Sequence, residues 1–344
     1  MITVAAGVIA APAVGGASTT ATNPVAGSWG SGAWIADGVY PAYQAATGTH
    51  RRLIGKIALR PRVRWFGGWV SAHDVKGQVR DYITKVQDGD PNAVVQMVTF
   101  RLWRGGEHNK NLPLSTAWQD AYRRWVDAVA RGIGSSRVMV IVEQDLPLAL
   151  HGWRPAVRLR LARYAAKTFS ALPRTSVYID AGASDWLAPD KATAMLKSAG
   201  IGLSRVRGFA LNGTHYDSTV RNIRHGRRIV GDLAHAGISG KHFVINTADT
   251  GRPFTWAWYV KHHPNGHYAN AATCATKSAT HCVTLGIPPT TDVANPAWHL
   301  PDWAAALARR WCDGYAWYGR PWLTGQARPF NRTRTLAIAR TTPY

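Results

Sequence analysis

Two aspartates draw attention because each ends an apolar run: Asp145 in VMVIVEQDLPLAL and Asp180 in SVYIDAGASDWL. A carboxyl group held partly out of water stays protonated to higher pH, since burial penalises its charged form. A protonated acid to cap the leaving oxygen, with a second carboxylate to activate water or attack, is what cleavage of a glycosidic bond requires. Glu143, two residues before Asp145, is expected to face the same way and tune it. The competing role for both aspartates is to cap the turn or helix that follows. The 16 tryptophans suit the same chemistry, because indole rings cover the flat apolar faces of sugars while keeping an N–H to donate.

Such residues act only if the chain converges them. Short runs rich in Val, Ile and aromatics predict strands over Val63–Trp69, Val94–Leu102, Val138–Glu143, Ser176–Ala181, Val206–Leu211, His242–Asn246 and Gly314–Tyr318. Apolar spacing of three and four predicts helices between them, over His73–Gln87, Thr116–Ala130, Pro155–Leu172, Ala192–Ala199, Ser218–Ala236 and Trp303–Asp313. Strands alternating with helices imply a parallel sheet, and their near-continuous apolar character implies burial on both faces. The fold class is therefore α/β, a distorted seven-stranded, TIM-like parallel β/α barrel. In a barrel, chemistry gathers at the C-terminal strand ends. Those ends carry Trp65 and Trp69, Arg101 and Arg104, Glu143 and Asp145, Asp180, Asn212, Asn246 with Asp249, and Trp317. The loop CVTLGIPPTTDVANP reads as a lid or rim.

Composition narrows the partners. Lys and Arg total 41 against 19 Asp and Glu, a net charge of +22, but the arginines are scattered at helical spacing, as in Arg154, Arg158, Arg160 and Arg163. No lysine-rich block or recognition motif accompanies them, so nucleic acid is not the expected partner. No apolar run reaches the roughly 20 residues of a membrane span. A GxGxxG turn, a GKS/T loop, a GxSxG elbow, an HExxH pair and a CxxC pair are all missing from the sequence, so no cofactor and no metal are expected. Cys274 and Cys282 bracket a short loop and suit one disulfide, leaving Cys312 as a buried thiol. Residues 1–48 read as a leader and linker: Met1 to Ala17 is apolar and rich in small residues, like an export signal without a basic lead-in, and a polar stretch follows from Ser18 to Asn23. Residues 49–344 read as the catalytic barrel of a secreted monomer.

The strings VIVEQDLPL, YIDAGASDWL, FALNGTHY, HFVINTADTGRP and DGYAWYGRPWL, in that order and spacing, resemble glycoside hydrolase family 6. The resemblance implies a cellulase-type barrel that hydrolyses β-1,4-glucan with inversion. It assigns Asp145 as the proton donor of the family's EPD motif, with Gln144 in place of the proline, and Asp180 as the aspartate of its DAG motif. Trp186 matches a sugar-stacking tryptophan, Trp65 a glycone-side one, and Asn212 and Trp317 fall where groove-lining groups occur. The family's first motif departs further. Phe100 stands for its tyrosine, and Gly105 and Gly106 for its Arg and Asp, which makes Arg104 and Glu107 the nearest substitutes. The aspartate proposed as catalytic base has no counterpart near Trp322 to Gly325. Asp145, Asp180 and Glu107 are thus the expected catalytic residues, and Trp65, Trp186, Asn212 and Trp317 the substrate-binding ones. The two missing aspartates support a second reading, a glycan-binding or cell-wall-binding protein without catalysis. A third, binding to acidic polymers, rests on charge alone.

Overall fold

The computed structural model describes residues 22–35 and 37–344. The apolar segment read as an export signal lies outside the described residues. Seven strands, β1 Arg64–Gly67, β2 Val95–Phe100, β3 Val138–Val142, β4 Thr175–Asp180, β5 Val206–Leu211, β6 His242–Asn246 and β7 Cys312–Ala316, form one parallel sheet in chain order. Each predicted strand is present, its ends displaced by no more than a residue or two.

The curl follows from alternation along each strand. Val98, Ile141, Tyr178, Ala210, Val244 and Ala316 point inward and fill the lumen together with Val63. Their neighbours Met97, Val140, Val177, Phe209, Phe243 and Tyr315 pack outward in the main core. Two residues on from the inward set, the alternation delivers Trp65, Phe100, Asp180, Asn212, Asn246 and Tyr318 to the C-terminal mouth.

The helices are α1 Val39–Gln44, α2 Gly48–Ala58, α3 Val75–Gln87, α4 Thr116–Ile133, α5 Pro155–Ser170, α6 Pro189–Ser198, α7 Thr219–His235, α8 Trp256–His262, α9 Asp302–Trp311 and α10 Arg332–Thr341. The six predicted ones correspond to α3–α7 and α9. Of the other four, α1 and α8 are too short and α10 too weakly patterned for periodicity to reveal, whereas α2, which buries Ile54, Ile57 and Ala58, was passed over.

The barrel is distorted because β1 and β7 form no ladder. One backbone bond, from Val63 N–H to Trp317 O at 3.0 Å, crosses that seam. A second core fills it, with Val39 of α1, Ile54 and Ile57 of α2, Ile338 of α10, Trp317 and Trp322. The described part of the stretch read as a linker is folded into the barrel. Val25 is buried in the lumen, Trp29 bridges to Val94, and Asp37 takes Arg62 at 3.1 Å and the Trp322 indole N–H at 2.9 Å. The loop read as a lid is likewise packed: Val283, Leu285 and Ile287 are buried, and Thr290 pairs with Tyr315 of β7. Cys274 and Cys282 form the expected disulfide, and Cys312 is a buried thiol. Among the described residues, no helix is long and apolar enough to cross a membrane.

At the opposite, N-terminal end, Asp313 is buried and accepts two 2.7 Å bonds from Arg207, one of 2.6 Å from the Tyr178 hydroxyl and a contact of 3.2 Å from His242. Desolvation pushes its carboxyl up, but Arg207 and His242 outweigh that and hold it below the ordinary range. Its contribution to stability is therefore present above the unfolded aspartate pKa and lost as pH falls through the lowered folded value. Asp313→Ala leaves Arg207 buried without its partner, so urea unfolding should show a loss of about 3–5 kcal/mol. The loss should shrink at pH below the ordinary aspartate range.

Candidate active site

A cleft of about 930 Å³ opens at the C-terminal mouth. Trp65, Trp69 and Phe100 line one side, and Trp186, His215, Trp256 and Tyr268 the other. Asp145, Glu107 and Thr214 lie between them, and the loop after β7 adds Arg320, Gln326 and Arg328.

Asp145 reaches the cleft because strand alternation ends abruptly before it. Glu143 and Asp145 both adopt left-handed backbone, with φ of 55° and 64°. Glu143 consequently does not face Asp145's way. Fully buried, it accepts the Arg101 and Leu102 N–H groups at 2.8 and 2.9 Å and the Tyr122 hydroxyl at 2.9 Å, and so holds the chain leaving β2. Asp145 is 8% exposed and accepts the Thr214 hydroxyl at 2.9 Å. Burial pushes its carboxyl above the ordinary range. The bonds from Thr214 and Gln144 pull it back, and the charge of Glu107 adds to the rise.

Asp180 does not line the cleft. It is fully buried beneath Asp145, accepting the Leu146 N–H at 3.2 Å. The Gln144 amide donates to both carboxyls, at 3.3 Å to Asp180 and 3.4 Å to Asp145. Burial first, and then the charge of Asp145, push Asp180 well above the carboxylate range. Gly213 makes room for the amide, since a Cβ there would lie 2.2 Å from it.

The expected aromatic platforms are partly taken. Trp65 donates its N–H to Tyr318 O at 2.9 Å and carries the Arg320 guanidinium 3.9 Å from its ring centre. Trp186 stacks on His215 at 4.9 Å and lines the cleft. His215 is tied to Asp185 at 2.7 Å. Trp317 and Asn212, expected to line the groove, lie beneath it instead. Trp317 is 2% exposed and donates to Ile287 O, while Asn212 is fully buried and donates to Asp217 O and Asn246 O. Asn246 and Asp249 are buried partners of each other at 2.8 Å. Of the two motif substitutes, Glu107 lines the cleft and Arg104 is exposed outside it.

Residues 32–303 match the family described as glycosyl hydrolases family 6. The chain belongs to glycosyl hydrolase family 6. It is similar to endoglucanase A of Cellulomonas fimi, 31% identical over 219 residues, which are 64% of this chain and 46% of that protein. It also resembles endoglucanase 1 of Streptomyces halstedii, 30% identical over 207 residues, covering 59% and 62%. The chain thus spans only about half the length of such relatives. Among solved structures, an endoglucanase of Mycobacterium tuberculosis in complex with a methyl cellobiosyl thio-cellobioside superposes with a TM-score of 0.73. It shares 26% identity, over 92% of this chain and 98% of that one. The cellobiohydrolase core of Chaetomium thermophilum shares the fold, with a TM-score of 0.67 at 16% identity and coverage of 94% and 99%.

Within this family 6 cleft, the loop after β7 presents Gly325, Gln326, Ala327 and Arg328, none of them a carboxylate. Sequence reasoning passed over Thr214, Asp185, Trp256, Tyr268 and Arg320. Thr214 alone left a signal, since it stands two residues past Asn212 at a strand end. The others arrive from long loops whose course the periodicity does not encode.

The two influences on Asp145 have opposite signs. Thr214→Val removes a bond that favours the carboxylate, so the Asp145 carboxyl should titrate higher. Glu107→Gln removes a neighbouring negative charge, so it should titrate lower. Carbon-13 NMR titration of labelled aspartates in the two variants and the parent checks both directions.

Proposed function

We propose that this chain is a secreted, inverting hydrolase of β-1,4-glucan with Asp145 as its general acid. The observation that carries this reading is Asp145 itself: a carboxyl group at the mouth of an aromatic-walled cleft, shifted toward the protonated form by burial and by the charge of Glu107. A protonated Asp145 gives its proton to the glycosidic oxygen as the bond to the anomeric carbon breaks, and water attacks that carbon from the opposite face. Asp180 acts through Gln144 and through its effect on the Asp145 proton. Glu107 lines the cleft with no ion-pair partner among the described residues, which suits it to orienting the attacking water. Trp65 and Trp186 offer apolar contact to sugars. The disulfide and the leader-like start support secretion, and we take the working unit to be a monomer. The similarity to endoglucanases supports a cellulose-type substrate.

The test is release of reducing ends from carboxymethyl cellulose and mixed-linkage β-glucan. Asp145→Ala should lower the rate about 10²- to 10⁴-fold. In the parent, activity should fall as pH rises through the Asp145 pKa, which lies above the ordinary aspartate range. The absence of a base at the loop after β7 favours a second reading, glycan binding without turnover. No turnover by the parent, with soluble glucan still bound and binding unchanged by Asp145→Ala, would select it.

A further inference from the structure

Arg320 is a cation in the cleft that no described residue neutralises at close range. It stands four residues past β7 and is half-buried, with its guanidinium on the Trp65 ring. No carboxylate of the described residues lies within ion-pair distance of it. Its Nε is fully buried and makes no hydrogen bond. Burial lowers its pKa to about 10, and Asp145, Asp37 and Glu107 act on it only through space. Buried cations are ordinarily paired, and an orphaned buried donor costs about 1–3 kcal/mol. Arg62 and Arg207 hold the carboxylates of Asp37 and Asp313, while Arg158 and Arg334, each with one buried N–H unbonded, direct their other N–H groups to backbone carbonyls. Arg320 alone among these five lines the cleft. Arg328 stands nearby with its guanidinium 6.0 Å over Trp69, so the same wall of the cleft presents two cations beside two indole rings.

A planar guanidinium with free N–H groups matches a carboxylate in a two-bond fork, while the exposed Trp69 indole nearby accepts the apolar face of the sugar that bears it. We propose that the Trp65–Arg320 side of the cleft receives a sugar carrying a carboxylate, so that the preferred substrate is an acidic β-1,4-glucan with uronic acid residues. This rests on the glucan reading above and narrows its substrate class. The two-bond geometry demands arginine in particular. The excess of 41 basic over 19 acidic residues would also draw such a polymer to the protein.

The experiment measures calorimetric binding to Asp145→Asn protein, which keeps the oligosaccharide intact. The probes are cellotetraose and a cellotetraose whose C6 hydroxymethyl groups are oxidised to carboxylates. The oxidised probe should bind about 10-fold tighter or more at low salt, and the advantage should shrink as salt rises. Adding Arg320→Gln should abolish the preference while leaving cellotetraose bound, with circular dichroism reporting the fold. Should that variant not fold, Arg320→Lys decides: it keeps the charge without the fork and should lose most of the preference. Equal binding of the two probes, or a preference that survives intact in a folded Arg320 variant, overturns the inference and leaves the glucan reading standing. Binding of neither probe overturns the glucan reading itself.

Discussion

Two buried carboxyl groups meet at one side-chain amide in this barrel, and most of the site is arranged around the difficulty of charging both. Asp145 and Asp180 are each desolvated, and each accepts from the Gln144 amide, so ionising one raises the cost of ionising the other. The deeper group, Asp180, is stabilised by backbone N–H donors, including Leu146, while the shallower one has a hydroxyl and the open cleft. The difference in setting assigns the roles: the group at the mouth can exchange a proton with a ligand, and the group below can only influence it. Gln144 occupies the space between because Gly213 has no side chain, so two positions far apart in sequence depend on one another sterically.

A second constraint is the unpaired seam between β1 and β7. A closed barrel would join Trp65 and Tyr318 through a ladder; here the indole N–H of Trp65 makes the bridge to Tyr318 O, and Val63 to Trp317 O provides the one backbone bond. Trp317 and Trp322 are consumed in filling this gap, and Trp125 and Tyr178 are buried elsewhere in the barrel. Much of the aromatic content that suggests sugar binding is therefore structural. The rings left most exposed to a ligand in the cleft are Trp69 and Trp256. The opposite end of the barrel is tied by Asp313 to three strands, which leaves the loops of the mouth free to vary.

How far the site could be read in advance depends on the kind of residue. Asp145 and Asp180 were legible because each follows an apolar strand, and strand ends in a parallel barrel converge on one face. Glu143 was misread because alternation was extended one residue too far; the left-handed backbone at Glu143 and again at Asp145 sends the two carboxyls to different sides. Trp317 and Asn212 stand at strand ends as expected, yet depth below the mouth depends on the stagger of neighbouring strands and on what packs above. Neither is carried by a residue's own neighbours in sequence.

The sequence by itself determined the seven parallel strands, six of the helices, the disulfide and the convergence of the two aspartates, because hydrophobic periodicity and short-range geometry suffice for these. Only the tertiary structure decided the open seam, the folding of residues 22–35 and 37–48 onto the barrel, the turning of Glu143 away from Asp145, and the placing of Thr214, His215 and Arg320 around the cleft. Those features come from loops and from residues far apart in sequence, where packing and desolvation act on groups whose local sequence holds no record of their partners.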